Sequence, residues 1–172
     1  CYLPGDNILT AISVARKCNL VTTYQQVFQV HAETPRDNAA NIQLTLANDV
    51  TKTNCVETKV NMDSLSTDVP LDMCYAVDGK SFAVLREHYP EQFEKVVTAT
   101  KVFARMSPAQ KDQCVEKLQE IGLTVGMCGD GANDCGALKT AHVGISLSEA
   151  EASVASPFTS KTPDIACVPA II

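Results

Sequence analysis

Three stretches of the chain pass from a short apolar run, through a turn of small and polar residues, into a segment with apolar positions three or four apart. The first runs from Cys1–Leu3 through Pro4-Gly5-Asp6-Asn7 to a helix with Ile8, Ile12, Ala15 and Cys18 on one face. Asp6 or Asn7 is placed to cap that helix, and Asn19 to stop it. The second has a strand at Lys101–Arg105, then Ser107-Pro108-Ala109-Gln110, a capping box with proline at the first helical position. Its helix buries Cys114, Val115, Leu118 and Ile121 and ends at Gly122. The third has a strand at Leu123–Cys128 whose lack of alternation predicts cover on both faces. The loop Gly129–Asp134 leads from it into a helix through Leu138 and Ala141, and Val143–Leu147 forms another buried strand. Strands alternating with helices predict an α/β fold, a Rossmann-like parallel sheet with helices on both faces.

Residues 31–78 follow another period. Ile42, Leu44 and Leu46 alternate with Gln43 and Thr45, and Val56–Met62 is similarly mixed. This predicts an antiparallel hairpin insertion, β-rich, between residues 1–30 and 79–172. Lys80–Glu87 and Glu91–Thr98 read as short helices separated at Pro90, and Ser146–Ser156 as a short surface helix.

Composition narrows what such a fold could do. Of 172 residues 45% are hydrophobic, enough for a folded core, and none of the apolar runs is long enough to span a bilayer; no secretory signal opens the chain. The chain as given is therefore expected to be soluble. Fourteen basic against twenty acidic residues give a charge of -6, which excludes a phosphate-backbone footprint and so argues for no nucleic acid partner. Eight cysteines without a CxxC pair, and only three histidines, argue against structural zinc and for a reduced, cytosolic setting, with Cys18, Cys114 and Cys128 packed as small hydrophobes.

In a parallel α/β sheet ligands bind where strands hand over to helices. Gly5-Asp6-Asn7, Ser107–Lys111 and Gly129–Asp134 all fall at such points. Carboxylates on a glycine-bearing loop suit magnesium, and an ammonium such as that of Lys111 suits a phosphoryl oxygen. The same residues would equally serve as turn formers, caps and surface charge. Gly126, Gly129 and Gly131 run as GxxGxG, the wrong order for a dinucleotide fingerprint, and no GxxxxGK[ST] phosphate loop occurs.

The motifs are more specific than the elements. GDGANDCGAL (129–138) resembles the GDGxNDxxAL hinge motif of P-type ATPases, ARMSPAQK (104–111) their lysine-bearing motif, and GDN (5–7) the end of their TGDN motif. Residues 127–163 together with CYAVDGKSF (74–82) resemble the fifth class of that family, linked to polyamine transport at endosomal or lysosomal membranes. The resemblance implies the C-terminal part of a haloacid dehalogenase-like phosphorylation domain, at the cytosolic face of a membrane, within an ATP-driven transporter. It implies Asp130 as a magnesium ligand with Asp134 supporting the metal shell, and Asn133 as a phosphoryl contact. Lys111 would neutralise the transferred group, with Asp134 beside it in catalysis, and Gly5 and Asp6 would line the phosphate side. The implied partners are ATP, magnesium and the remaining transporter domains and membrane helices.

Two departures stand out. The family's DKTGT, which carries the phosphorylated aspartate, is absent; Asp49-Val-Thr-Lys-Thr53 lacks its glycine and follows GDN instead of preceding it. Pro4 replaces the family's threonine and so has neither hydroxyl nor amide hydrogen to offer. The isolated chain is therefore expected not to hydrolyse ATP. Two other readings remain at this stage: a free-standing phosphohydrolase of the same superfold, and a catalytically silent module that binds a partner.

Overall fold

A computed structural model describes residues 1–36, 39–47, 70, 72–148, 155–160 and 164–170. The chain divides into two compact units, Cys1–Met106 and Ser107–Ile172. Val56–Met62, the Asp49–Thr53 stretch and most of the expected helix at 146–156 lie outside the described residues.

The first unit holds α1 (Ile8–Lys17), β1 (Gln26–Arg36), β2 (Ala39–Leu46), β3 (Met73–Asp78), α2 (Gly79–His88), α3 (Pro90–Ala99) and β4 (Thr100–Ala104). Its sheet runs β2-β1-β3-β4, parallel between β1, β3 and β4 and antiparallel between β1 and β2. Because strand side chains alternate, each face collects its own set. Val27, Cys74, Ala76, Val102 and Ala104 pack with Ala11, Ile12 and Ala15 of α1 and with Val21. The small alanines let that helix lie close to the strands. The opposite set includes Phe103, whose ring meets Phe82 of α2 edge-on at 6.2 Å, and Phe82 in turn meets Phe93 of α3 at 5.0 Å. Phe82 is fully buried, and such a ring contributes about 1.5–3 kcal/mol. Helices on both faces of a largely parallel sheet are what the periodicities predict.

The antiparallel pair differs in its partner. The alternating segment Ile42–Leu46 pairs with β1, Val30 opposite Leu44, within a hairpin that opens at residue 26. The expected boundary at residue 30 thus falls inside β1, and β3, from within 31–78, is an inner strand. Tyr89, between α2 and α3, ties the hairpin down: its hydroxyl donates to the Glu33 carbonyl and accepts from the Asn41 amide, both at 3.0 Å. The expected strand at Cys1–Leu3 is a single parallel bridge, Tyr2 to Val102. Asn7 caps α1, accepting from the Thr10 amide at 3.0 Å, and Asn19 takes a left-handed φ of 58° just past the helix end. Cys18 is exposed, not packed, because it is already the residue that caps the helix.

The second unit holds α4 (Pro108–Glu120), β5 (Gly126–Gly129), α5 (Cys135–Thr140), β6 (Val143–Ser146) and β7 (Phe158–Thr159), with 3-10 turns at Ala132–Asp134 and Ile165–Ala170. Its three strands run parallel in the order β5-β6-β7. The capping box at Ser107 is present in both directions, the Gln110 amide donating to Oγ and the Ser107 amide to Oε1 at 2.9 Å. Gly122 ends α4 with φ 87°. β5 is shorter and less covered than expected: Gly126 is exposed, and the other three residues are half-buried at an edge of this sheet. α5 stops at Thr140, Ala141 being already extended.

Candidate functional site

The site of the second unit begins with the cap at Ser107. Fixing the first turn of α4 sets the direction of Lys111, one turn on, whose stem is buried against the unit's interior. From the other side β5 delivers the chain to Gly129, and the 3-10 turn Ala132–Asp134 brings Asp134 back over it. A Cβ on Gly129 would lie 2.6 Å from Oδ2 and 2.8 Å from Cβ of Asp134, so only glycine leaves room for that side chain. At Gly131 the atom nearest a Cβ would be the Asn133 amide oxygen, the free end of an exposed side chain that can move aside.

These constraints place the Lys111 ammonium 2.7 Å from Oδ1 of Asp134. The side chains are 7% and 8% exposed, so the pair is a buried ion pair, with each charge answered by the other. Asp130 and Asn133, in contrast, are exposed on the same loop. Burial pushes the Cys128 thiol up, and the neighbouring Cys167, Asp130 and Asp134 add to the shift.

Of the residues picked out by sequence, the structure brings Lys111 and Asp134 together and sets Asp130 and Asn133 beside them in the loop. Gly5 and Asp6 belong to the first unit. There Gly5 is exposed with open space where a Cβ would stand, and Asn7, not Asp6, is the helix cap. Asp112 was not picked out: in sequence it is one more polar residue on a surface helix. In the structure one of its carboxylate oxygens is buried without a hydrogen-bond partner.

The donor chemistry fits magnesium in part. Asp130 offers a hard, exposed carboxylate of the kind magnesium takes one or two of while keeping waters, whereas Asp134 has one oxygen committed to Lys111. Among the described residues no group of three or more His, Cys, Asp or Glu side chains is disposed to hold a metal. The described residues thus offer one exposed hard ligand, Asp130, and no closed cage.

A parallel α/β framework carrying this loop and lysine belongs, by its sequence relationships, to the P-type ATPases of the fifth class. The chain is 48% identical over 98% of its length to the human Polyamine-transporting ATPase 13A3, and 48% identical over 99% to the human Probable cation-transporting ATPase 13A4. It is 43% identical over 98% to the Cation-transporting ATPase catp-5 of Caenorhabditis elegans. No protein-family model matches the chain. It spans only 14–15% of the length of these relatives, and among its described residues no helix is long and apolar enough to cross a membrane.

Proposed function

We propose that the chain is part of the catalytic phosphorylation domain of an ATP-driven membrane transporter of cations or polyamines, supplying magnesium and phosphate contacts for forming and hydrolysing an aspartyl phosphate. The buried Lys111–Asp134 pair at the mouth of a parallel sheet carries this reading. A chain has little reason to bury a lysine against a two-glycine loop for stability alone, because desolvating both charges cancels most of their attraction. Phosphoryl transfer, by contrast, depends on fixed positive charge and exact placement.

In this reading Lys111 is held by Asp134 so that its ammonium meets a phosphoryl oxygen without searching rotamers. Asn133, exposed at the loop tip, donates its amide to the same group. Asp130 is the residue that would hold magnesium, with Asp134 behind it orienting the loop through Lys111 and Gly129. The cation, when bound, supplies neutralisation of phosphoryl charge. Gly5 and Asp6 are assigned to the phosphate side on the motif match alone. ATP and the other transporter domains are the proposed partners, and an endosomal or lysosomal membrane the proposed setting.

The test is magnesium chloride titrated into the isotopically labelled chain, followed by beryllium fluoride as phosphoryl analogue. Amide shifts confined to Gly129–Asp134, weak in affinity and lost in Asp130→Asn, are expected, with no ATP turnover. Magnesium-dependent ATP hydrolysis by the purified chain, or a loop that ignores magnesium, refutes the proposal.

A further inference from the structure

Two features beside the ion pair work against local stability, and they touch each other. Gly136 sits in the first turn of α5, where alanine would favour the helix. Asp112, next to Lys111 on α4, buries a carboxylate oxygen that accepts no hydrogen bond, a disfavoured arrangement for any polar atom. The two meet face to face: a Cβ built on Gly136 would run into both oxygens of the Asp112 carboxylate. Burial, and then the charge of Glu116 one turn further on α4, push the Asp112 carboxyl up from its usual range.

The two contacts form a two-point clasp. Lys111 and Asp112 are consecutive on α4, and their partners Asp134 and Gly136 are two residues apart where the loop becomes α5. The far end of α5 is tied to α4 by the Gln119 side-chain amide, which donates to the Thr140 carbonyl at 2.8 Å. At the near end the Asp112–Gly136 contact, one residue along from the ion pair and leaving no space for a Cβ while the carboxylate stays in place, keeps the short helix from turning about that pair.

We infer that Asp112 is a positioning residue, whose seat on Gly136 fixes α4 against the start of α5 so that Lys111 and Asp134 meet in one geometry. This rests on the proposed reading of Lys111 and Asp134 as the working pair, and it extends that reading to two residues outside the loop motif's charged positions. Elements that accept an unfavourable glycine and a carboxylate with one unpaired buried oxygen at the same point keep them for geometry, since replacing either is expected to hold or improve stability.

The test reads the ammonium directly, without metal or nucleotide. In nitrogen-edited NMR a buried, paired lysine ammonium exchanges its protons slowly and gives its own Nζ signal, while solvated lysines are averaged with water. Asp112→Ala and Gly136→Ala are each expected to broaden the Lys111 signal away, and the isosteric Asp112→Asn to keep it. The melting temperature of Gly136→Ala should hold or rise, because the displaced carboxylate regains water and alanine favours the helix. The double variant Asp112→Ala/Gly136→Ala should recover the signal, a methyl filling the space the carboxylate left. A signal retained in both single variants, or still missing in the double variant, overturns the inference. So does a melting temperature of Gly136→Ala that falls along with the signal, since the contact is then ordinary packing. A chain that follows the expected signal pattern yet ignores magnesium would sink the proposed function and leave this contact standing.

Discussion

Replacing Lys111 with methionine isolates what the buried pair is worth. Methionine keeps most of the stem's volume and removes the ammonium, so the change is close to a deletion of charge. What it leaves behind decides the magnitude. Asp134 is 8% exposed at its side chain, and its second oxygen lies over Gly129, so the stranded carboxylate has little access to water. Exposed pairs are worth about 0–1 kcal/mol, whereas removing one partner of a buried pair costs about 3–5 kcal/mol. Side chains under a tenth exposed put this pair in the second class.

Native-state hydrogen exchange at the amides of Cys114 and Val115, both buried in α4, reports the stability of this unit by itself. At 1.4 kcal/mol per tenfold, Lys111→Met should accelerate that exchange by roughly a hundredfold or more. Lys111→Met/Asp134→Leu should return most of the loss, because an apolar pair of similar volume carries no desolvation cost. A single variant that loses under about 1 kcal/mol would show that water already reaches the carboxylate, and the argument from burial would fail. The same result would weaken the proposed role, since an ammonium that solvent can reach is not held ready for a phosphoryl oxygen.

Two other perturbations test the frame around the site. A Cβ at Gly144 of β6 would collide with the Leu138 carbonyl, its carbon at 3.1 Å, and backbone cannot swing aside as a side chain can. Gly144→Ala should therefore cost about 1–3 kcal/mol as overpacking, read from a lowered urea midpoint; an unchanged midpoint would mean that β6 and α5 are not packed as described. Cys114 is 1% exposed, and burial pushes its thiol up from 9.0 to about 12. A raised acid pKa contributes stability that is whole below about pH 9 and is lost as pH climbs toward 12. At pH 8 iodoacetamide should label exposed Cys1 and Cys18 and spare Cys114 until the unit unfolds, and prompt labelling of Cys114 would contradict its burial.

The readable parts of the fold were those written in local chemistry. Ser107 and Gln110 three residues apart can satisfy each other only at a helix start, so the capping box was legible and is present. Pro90 marked the break between α2 and α3 for a similar reason, lying at the first position of α3. Strand pairing was less legible. β1 carries Val27, Phe28 and Val30 among glutamines, an unremarkable run whose identity as a strand comes from its neighbours β2 and β3 on either side. Ile42–Leu46 was legible as a strand of an antiparallel hairpin, and it is one, but its pairing with β1 was not legible, because alternation says which face is buried and nothing about which strand lies alongside.

The site shows the same division within six residues. By composition and spacing Asp130 and Asp134 are two like carboxylates on one glycine-bearing loop, and only the family resemblance separates them, with Asp130 as the magnesium ligand and Asp134 as support for the metal shell. The structure makes them unlike. Asp134 is buried, with one oxygen 2.7 Å from an ammonium and the other over a glycine backbone, while Asp130 faces solvent. A hard cation competes for a carboxylate against whatever already neutralises it, and Lys111 holds the nearer claim on Asp134. On the proposed reading direct metal contact therefore belongs to Asp130, and Asp134 acts through the lysine. Neither composition nor spacing could separate the two roles, because the separation comes from Lys111, 23 residues earlier, arriving on a helix that the capped serine aims. Asp130→Asn should then abolish the magnesium response while leaving the Lys111 ammonium signal intact, and Asp134→Asn should remove that signal first.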